Sequence, residues 1–189
     1  MITKIAVVGS FCLTALFAAL LLMHFAGAFN SLWSGCWQNS TEYERRLTLF
    51  EALPERFGGV VFLGDSITYE GPWSELFPQT QTHNFGVDGD TSAGLLERIE
   101  ARGLRRPLKV FLMIGTNDLS LGFSEHKILE NILKISKQIK AVSSETEVFI
   151  QSILHRGPEY REKIESLNKK LPELLPNEVG WINLYPHFL

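Results

Sequence analysis

The sequence predicts an α/β fold, a parallel sheet of about five strands with helices on both faces. Two observations carry that expectation. From residue 41 onward, short apolar runs alternate with segments of helical periodicity, the pattern of successive βαβ units. The apolar runs, such as "GVVFLG" and "LKVFLMIG", are continuous, as strands buried on both faces require. A third observation bounds the size. The chain has 189 residues, 45% apolar and 21% charged, which suits one globular domain with a real core plus one very apolar segment.

The elements follow in order. Thr41 and Glu44 have the spacing of a capping box, and Tyr43, Leu47 and Phe50 recur at helical intervals. A helix of about three turns is therefore expected, ending before Pro54. "GVVFLG" is the first strand, short and rich in β-branched and aromatic residues. "PWSELF" reads as a short helix with Pro72 at its first position. "TQTHNFG" alternates and reads as the second strand. "TSAGLLERIEARGL" is a helix capped near Thr91, with Leu95, Leu96 and Ile99 facing inward. "LKVFLMIG" is the strongest strand in the chain. Ser124 caps a long helix carrying Ile128, Ile132, Ile135 and Ile139. "EVFIQSIL" is a fourth strand, Tyr160, Ile164, Leu167 and Leu171 mark one more helix, and "GWINLY" is the last strand. No internal repeat, low-complexity tract or second domain interrupts residues 41–189.

Ahead of that domain lie an apolar segment, 1–29, and a linker, 30–40. Lys4 is the last charge before Glu42, and Ile5 to Met23 is long enough to cross the hydrocarbon core as a helix. A signal anchor is expected. The alternative is a cleaved signal peptide ending near Ala26 to Ala28. Either puts the domain outside the cytoplasm, membrane-anchored in the first case and secreted or periplasmic in the second. Cys12 and Cys36 form no CxxC and stand near no His/Cys cluster, which argues against a disulfide framework or a structural zinc site. A net charge of -3 gives no sign of a nucleic-acid partner.

In such sheets the ligand site lies beyond the carboxyl ends of the strands. After the five strands come Gly64-Asp65-Ser66, "NFGVDGDTS", "GTND", "HRGPE" and "PHFL". Three of these ends set glycine beside a small polar residue, more than turns alone require. "FLGDS", "NFGVDGDTS" and "MIGTND", in that order, resemble the first three sequence blocks of the SGNH (GDSL) hydrolase family. The similarity is to its platelet-activating-factor acetylhydrolase-like and bacterial acetyl-esterase branch, and it runs from about Phe50 to the end of the chain. The resemblance implies a flavodoxin-like three-layer α/β/α fold and hydrolysis of small acyl or acetyl esters by a serine nucleophile, with no metal or other cofactor. It makes Ser66 the nucleophile, and the Ser66 N–H, the Gly89 N–H and the Asn117 amide the oxyanion hole. Acyl transfer asks for these residue types on its own terms: an accessible hydroxyl, donors for the oxyanion and a base. The arrangement is not the G-x-S-x-G elbow of α/β-hydrolases, because Ile67 and Thr68 follow Ser66.

The neighbours have plainer readings. Asp65 is a structural hydrogen-bonder. Asp88 and Asp90 imitate the D-x-D of metal-dependent phosphatases, but polar "TQTHN" precedes them where that motif wants a hydrophobic strand. Asp90 and Thr91 read instead as the start of the next helix. Asp118 ties down its own loop, and Gly86 serves the backbone.

The sequence departs from the family at the base, a histidine three residues after an aspartate near the C-terminus. Leu21, Thr80, Phe123, Ser152 and Leu184 stand three residues before His24, His83, His126, His155 and His187, so no D-x-x-H occurs. The simplest expectation is a chain that stops before that block. His155, after the fourth strand and near Glu159, is the resident candidate for a substitute base. Two other readings stay open: a non-catalytic binding module or inactive remnant on the same fold, and a phosphate-handling domain. The latter is disfavoured because neither G-x-x-x-x-G-K nor G-x-G-x-x-G is present.

Overall fold

Runs of four or five residues form the strands of one parallel sheet in the computed structural model, which describes residues 41–52, 58–102, 104 and 106–188. The strands are β1 (Val60–Gly64), β2 (Thr82–Gly86), β3 (Lys109–Met113), β4 (Glu147–Gln151) and β5 (Val179–Ile182). They lie in the order β2-β1-β3-β4-β5 with every pair parallel. That is the doubly wound order of flavodoxin-like sheets. The helix expected over residues 5–23, the linker and both cysteines lie outside the described residues. Among the described residues, no helix is long and apolar enough to cross a membrane.

The helices are α1 (Thr41–Ala52), α2 (Ser66–Tyr69), α3 (Trp73–Leu76), α4 (Ser92–Arg102), α5 (Thr116–Ser120), α6 (Glu125–Val142) and α7 (Arg161–Leu174). Short 3-10 turns follow at Pro158–Tyr160 and Tyr185–Phe188. The last of these takes Tyr185, which the sequence reading assigned to the final strand. Ser124 caps α6, its hydroxyl accepting from the Lys127 N–H at 3.3 Å. That satisfies one of the N–H groups a helix start leaves unpaired.

One face of the sheet carries the main core. The register lines up Val61, Val110, Val148 and Val179 in one row and Leu63, Leu112 and Ile150 in the next. Against them pack Leu95 and Ile99 of α4, Ile128, Ile132, Ile135 and Ile139 of α6, and Ile164, Leu167 and Leu171 of α7. All of these are buried, and each such side chain stabilises the fold by about 1.5–3 kcal/mol through area removed from water.

The opposite face is aromatic. Phe62, Phe111 and Phe149 form a stacked row with centroid spacings of 5.4 and 5.1 Å. Trp73 of α3 stacks on Phe62 at 3.8 Å and donates its indole N–H to the Thr68 carbonyl at 2.8 Å. Phe62 is thereby buried, whereas Phe111 and Phe149 remain half-buried. The three-layer arrangement expected from the sequence is thus full on one face; on the other, the described residues cover chiefly the β1 end. At the free edge of β2, α1 packs through Tyr43, Leu47 and Phe50, and Phe50 stacks on Phe85 at 4.6 Å. Arg46 donates to the Asn84 and Gly86 carbonyls at 2.9 and 3.1 Å, closing acceptors that an edge strand would otherwise present to water or to another chain.

The two faces differ in how much they hold. Ile132→Ala is expected to lower the unfolding free energy by about 2–5 kcal/mol, the range for emptying a well-packed core site. Phe149→Ala on the half-covered face is expected to cost less. Urea unfolding of both variants checks this, and an equal or larger loss at Phe149 would refute it.

Candidate active site

The site begins with strand register. Gly64 pairs with Gly86 on one side and with Met113 on the other, so β1, β2 and β3 end level. Ser66, Gly89 and Asn117 follow within a few residues of those ends, on one rim of the sheet. Close approach sharpens the first corner. A Cβ on Gly86 would lie 2.2 Å from the Tyr69 nitrogen, so only glycine lets α2 settle against β2. Asn84 staples the same junction, donating to the Tyr69 carbonyl at 2.9 Å and accepting from the Gly86 N–H at 2.9 Å.

Asp65 is the N-cap of α2, its Oδ1 accepting from the Ile67 N–H at 3.1 Å. It is buried, and its Oδ2 meets no hydrogen-bond partner among the described residues. Burial pushes its carboxyl up to about 7, the Ile67 N–H pulls it down, and the nearby Asp90 and Asp118 charges raise it further. Ser66, the first residue of α2, is half-buried, and no described residue hydrogen-bonds its hydroxyl.

The second loop turns at Val87–Asp90, where the Asp90 N–H donates to the Val87 carbonyl at 3.3 Å. Gly89 has φ +68°, the left-handed conformation that the third residue of a type II turn needs. This is a second reason for glycine there, besides access to its N–H. Thr91 Oγ1 accepts from the Gly94 N–H at 3.1 Å and so caps α4. Asp90 does something the sequence reading missed. It is fully buried and pairs with Arg98 Nε at 2.8 Å. Arg98 Nη2 also donates to the Phe85 and Gly64 carbonyls at 2.9 and 3.2 Å. Burial raises the Asp90 carboxyl while Arg98 opposes that rise. The signal was in the sequence: Arg98 stands three residues after Leu95 and one before Ile99, on the inward face of an apolar helix.

The third loop holds Asn117, whose Nδ2 donates to the Asp90 carbonyl at 2.9 Å. This contact brings the β2 and β3 loops together. Asp118 corrects an expectation. It does not serve only its own loop, because its carboxylate reaches the start of α4 and accepts from the Ser92 N–H at 2.9 and 3.1 Å and from the Ser92 hydroxyl at 2.5 Å. Asn131 of α6 donates to the same hydroxyl at 2.9 Å. The physical reason is that α4 begins with unpaired N–H groups and a positive dipole end, which a carboxylate satisfies. Burial still pushes the Asp118 carboxyl up to about 6, against the pull of Ser92.

The fourth loop supplies His155 and Arg156. His155 is exposed, and no hydrogen bond or ion pair joins it to Ser66 or to Glu159 among the described residues. Arg156, next to His155 in the chain, reaches Asn117 Oδ1 and Thr116 Oγ1, both at 3.3 Å. Among the described residues, no group of three or more His, Cys, Asp or Glu could hold a metal ion.

The model of the GDSL-like Lipase/Acylhydrolase family matches residues 62–187, more than half of the chain. The platelet-activating factor acetylhydrolase IB subunit alpha1 of Rattus norvegicus is 29% identical over 122 residues, 61% of this chain and 51% of the relative. The alpha2 subunit of Gallus gallus is 29% identical over 127 residues, 62% and 54% respectively. The chain thus spans about half the length of these curated relatives. Among solved structures, a Streptococcus pneumonia protein provisionally described as a platelet activating factor superposes with a TM-score of 0.72 at 26% identity, covering 84% of this chain and 82% of that one. The SGNH-hydrolase family esterase AlinE4 shares the fold, with a TM-score of 0.54 at 19% identity, covering 69% and 77%.

Two outcomes follow from the buried charges. Arg98→Met leaves the buried Asp90 carboxyl without its cation and is expected to cost about 3–5 kcal/mol; adding Asp90→Asn should recover part of that loss in chemical denaturation. Asp65 keeps its proton to about pH 7 when folded but releases it near 3.8 when unfolded. The native state therefore binds more protons between these values, and stability falls as pH rises through that window. Asp65→Asn keeps the cap acceptor and removes the titration. Its melting temperature relative to the parent should rise from pH 4 to pH 8, and a pH-independent difference would contradict the assignment.

Proposed function

The chain belongs to the GDSL-like lipase/acylhydrolase family, and from that premise we propose that it is a serine ester hydrolase acting on small acyl esters, acetyl esters first. The observation that carries this reading is the common level of β1, β2 and β3 at Gly64, Gly86 and Met113. It brings a serine, a left-handed glycine and an asparagine amide to one rim. In this reading Ser66 Oγ attacks the ester carbonyl carbon and the carbonyl π pair moves onto oxygen. The oxyanion is held by the Ser66 and Gly89 N–H groups and the second N–H of the Asn117 amide, whose first is on the Asp90 carbonyl. Collapse expels the alcohol, and water then releases the acid from Ser66. Asp65 holds the turn that carries Ser66 and does not touch substrate.

The Ser66 proton needs an acceptor. The family's D-x-x-H pair has no counterpart among the chain's five histidines, so the acceptor is either His155, at the same rim, or a histidine supplied from beyond the described contacts. Oxyanion donors and a bound serine retain part of the catalysis even without their base. The apolar stretch at 5–23 extends the proposal to a domain facing outside the cytoplasm, anchored or exported. A binding module on the same fold is the second reading, favoured by the absence of a partner for the Ser66 hydroxyl among the described residues.

A fluorophosphonate probe is expected to label the parent at Ser66 and to spare Ser66→Ala. Joined to a segment carrying Asp-x-x-His, the chain is expected to hydrolyse p-nitrophenyl acetate, with Asn117→Ala slower by about 10²–10³-fold and Ser66→Ala inactive. Undiminished hydrolysis by Ser66→Ala would overturn the reading. Unlabelled serine together with no turnover would leave the binding module.

A further inference from the structure

We infer that Arg156 is a positioning residue that fixes which way the Asn117 side-chain amide faces. The argument rests on the reading of Asn117 as an oxyanion donor, but the orientation itself can be measured without turnover. A carboxamide presents an acceptor oxygen and a donor nitrogen of nearly the same shape, and sterics alone do not choose between them. Here each end meets a group that tolerates only one choice. Asn117 Oδ1 faces Arg156 Nη1 at 3.3 Å, and a guanidinium has donors and no acceptor. Asn117 Nδ2 faces the Asp90 carbonyl at 2.9 Å, which only accepts. A flipped amide would set NH₂ against the guanidinium and oxygen against oxygen.

Arg156 is placed for this task by contacts on both sides. Its Nη1 also reaches Thr116 Oγ1 at 3.3 Å and the Thr116 carbonyl at 3.4 Å, at the start of α5. Its guanidinium lies 5.8 Å from the Tyr160 ring centroid. No carboxylate forms a salt bridge with it among the described residues; its charge acts at longer range on the buried Asp65, whose carboxyl it pulls down. In the selected orientation, Nδ2 spends one hydrogen on the residue next to Gly89 and keeps the other for a ligand oxygen. A cation on the amide oxygen also draws electron density from the N–H and strengthens it as a donor. Arg156 therefore acts through Asn117 and not on the substrate.

The test is the Asn117 Nδ2H₂ resonance pair in the full ¹⁵N-labelled chain, assigned by its loss in Asn117→Ala. In Arg156→Met this pair should shift and lose dispersion. The pairs of Asn84 and Asn168, held by the Tyr69 and Ile153 carbonyls, should stay. Arg156→Lys, still a donor-only cation, should keep the parent pair. In the chain joined to the Asp-x-x-His segment, with p-nitrophenyl acetate, Arg156→Met should lower kcat by roughly 10-fold at unchanged KM, less than the loss of the donor itself. It should add nothing to Asn117→Ala. An unmoved Asn117 pair in Arg156→Met overturns the proposal. So does a shift of all three pairs with a lower melting temperature, which would make Arg156 a brace for the loop. Failure of the ester-hydrolase reading is a different result, full hydrolysis by Ser66→Ala, and leaves the amide measurement to judge Arg156.

Discussion

The guanidinium of Arg98 is the contact on which the rest of the site depends. From one buried position on α4 it reaches the Gly64 carbonyl at the end of β1, the Phe85 carbonyl of β2 and the Asp90 carboxylate beyond β2. Ser66 follows two residues after the first of these anchors and Gly89 precedes the last. The Asp90 carbonyl in turn holds Asn117. Three loops that no strand pairing joins are thus referred to one planar, donor-only group. A lysine could not do the same, because a point charge lacks the fork that bonds several acceptors at once.

That arrangement places three carboxyl groups, Asp65, Asp90 and Asp118, in the interior behind the rim. Each is handled differently. Asp90 has a cation, Asp118 has the N–H and hydroxyl of Ser92, and Asp65 has a single backbone N–H and an oxygen with no described partner. Burial raises all three carboxyls, and Asp65, with the fewest donors, is pushed up to about 7. Buried polar networks of this kind specify one arrangement of loops more than they add net stability. The stability comes from the aliphatic face of the sheet, where α4, α6 and α7 bury the valine and leucine rows.

Much of this was legible in the chain as written. The strands, the Ser124 cap, the isoleucines of α6 and the glycine beside each loop are all local signals, because periodicity and turn chemistry act over a few residues. The spacing of Leu95 and Ile99 marks them as inward; Arg98 between them has no role in the sequence reading, because the groups it meets lie outside its own helix. Asp118 was assigned to its own loop, since its partner Ser92 lies 26 residues away. The half-covered aromatic face was equally hidden. Phe62, Phe111 and Phe149 look like core residues in any strand pattern, and the placement of Trp73 and Phe77 decides which of them is covered.

The α/β class, the order of elements and the residue types after each strand are written in the chain, since they follow from backbone propensity and from the short-range spacing of apolar side chains. The folded arrangement alone makes the glycine-ended strands finish level and brings Arg98 to Asp90. It also places one carboxamide between a carbonyl and a guanidinium, 27 and 39 residues away along the chain. The physical reason is the range of the forces. Register and crossover geometry bring distant loops together, and a buried charge or an amide end takes its meaning from whatever stands opposite it.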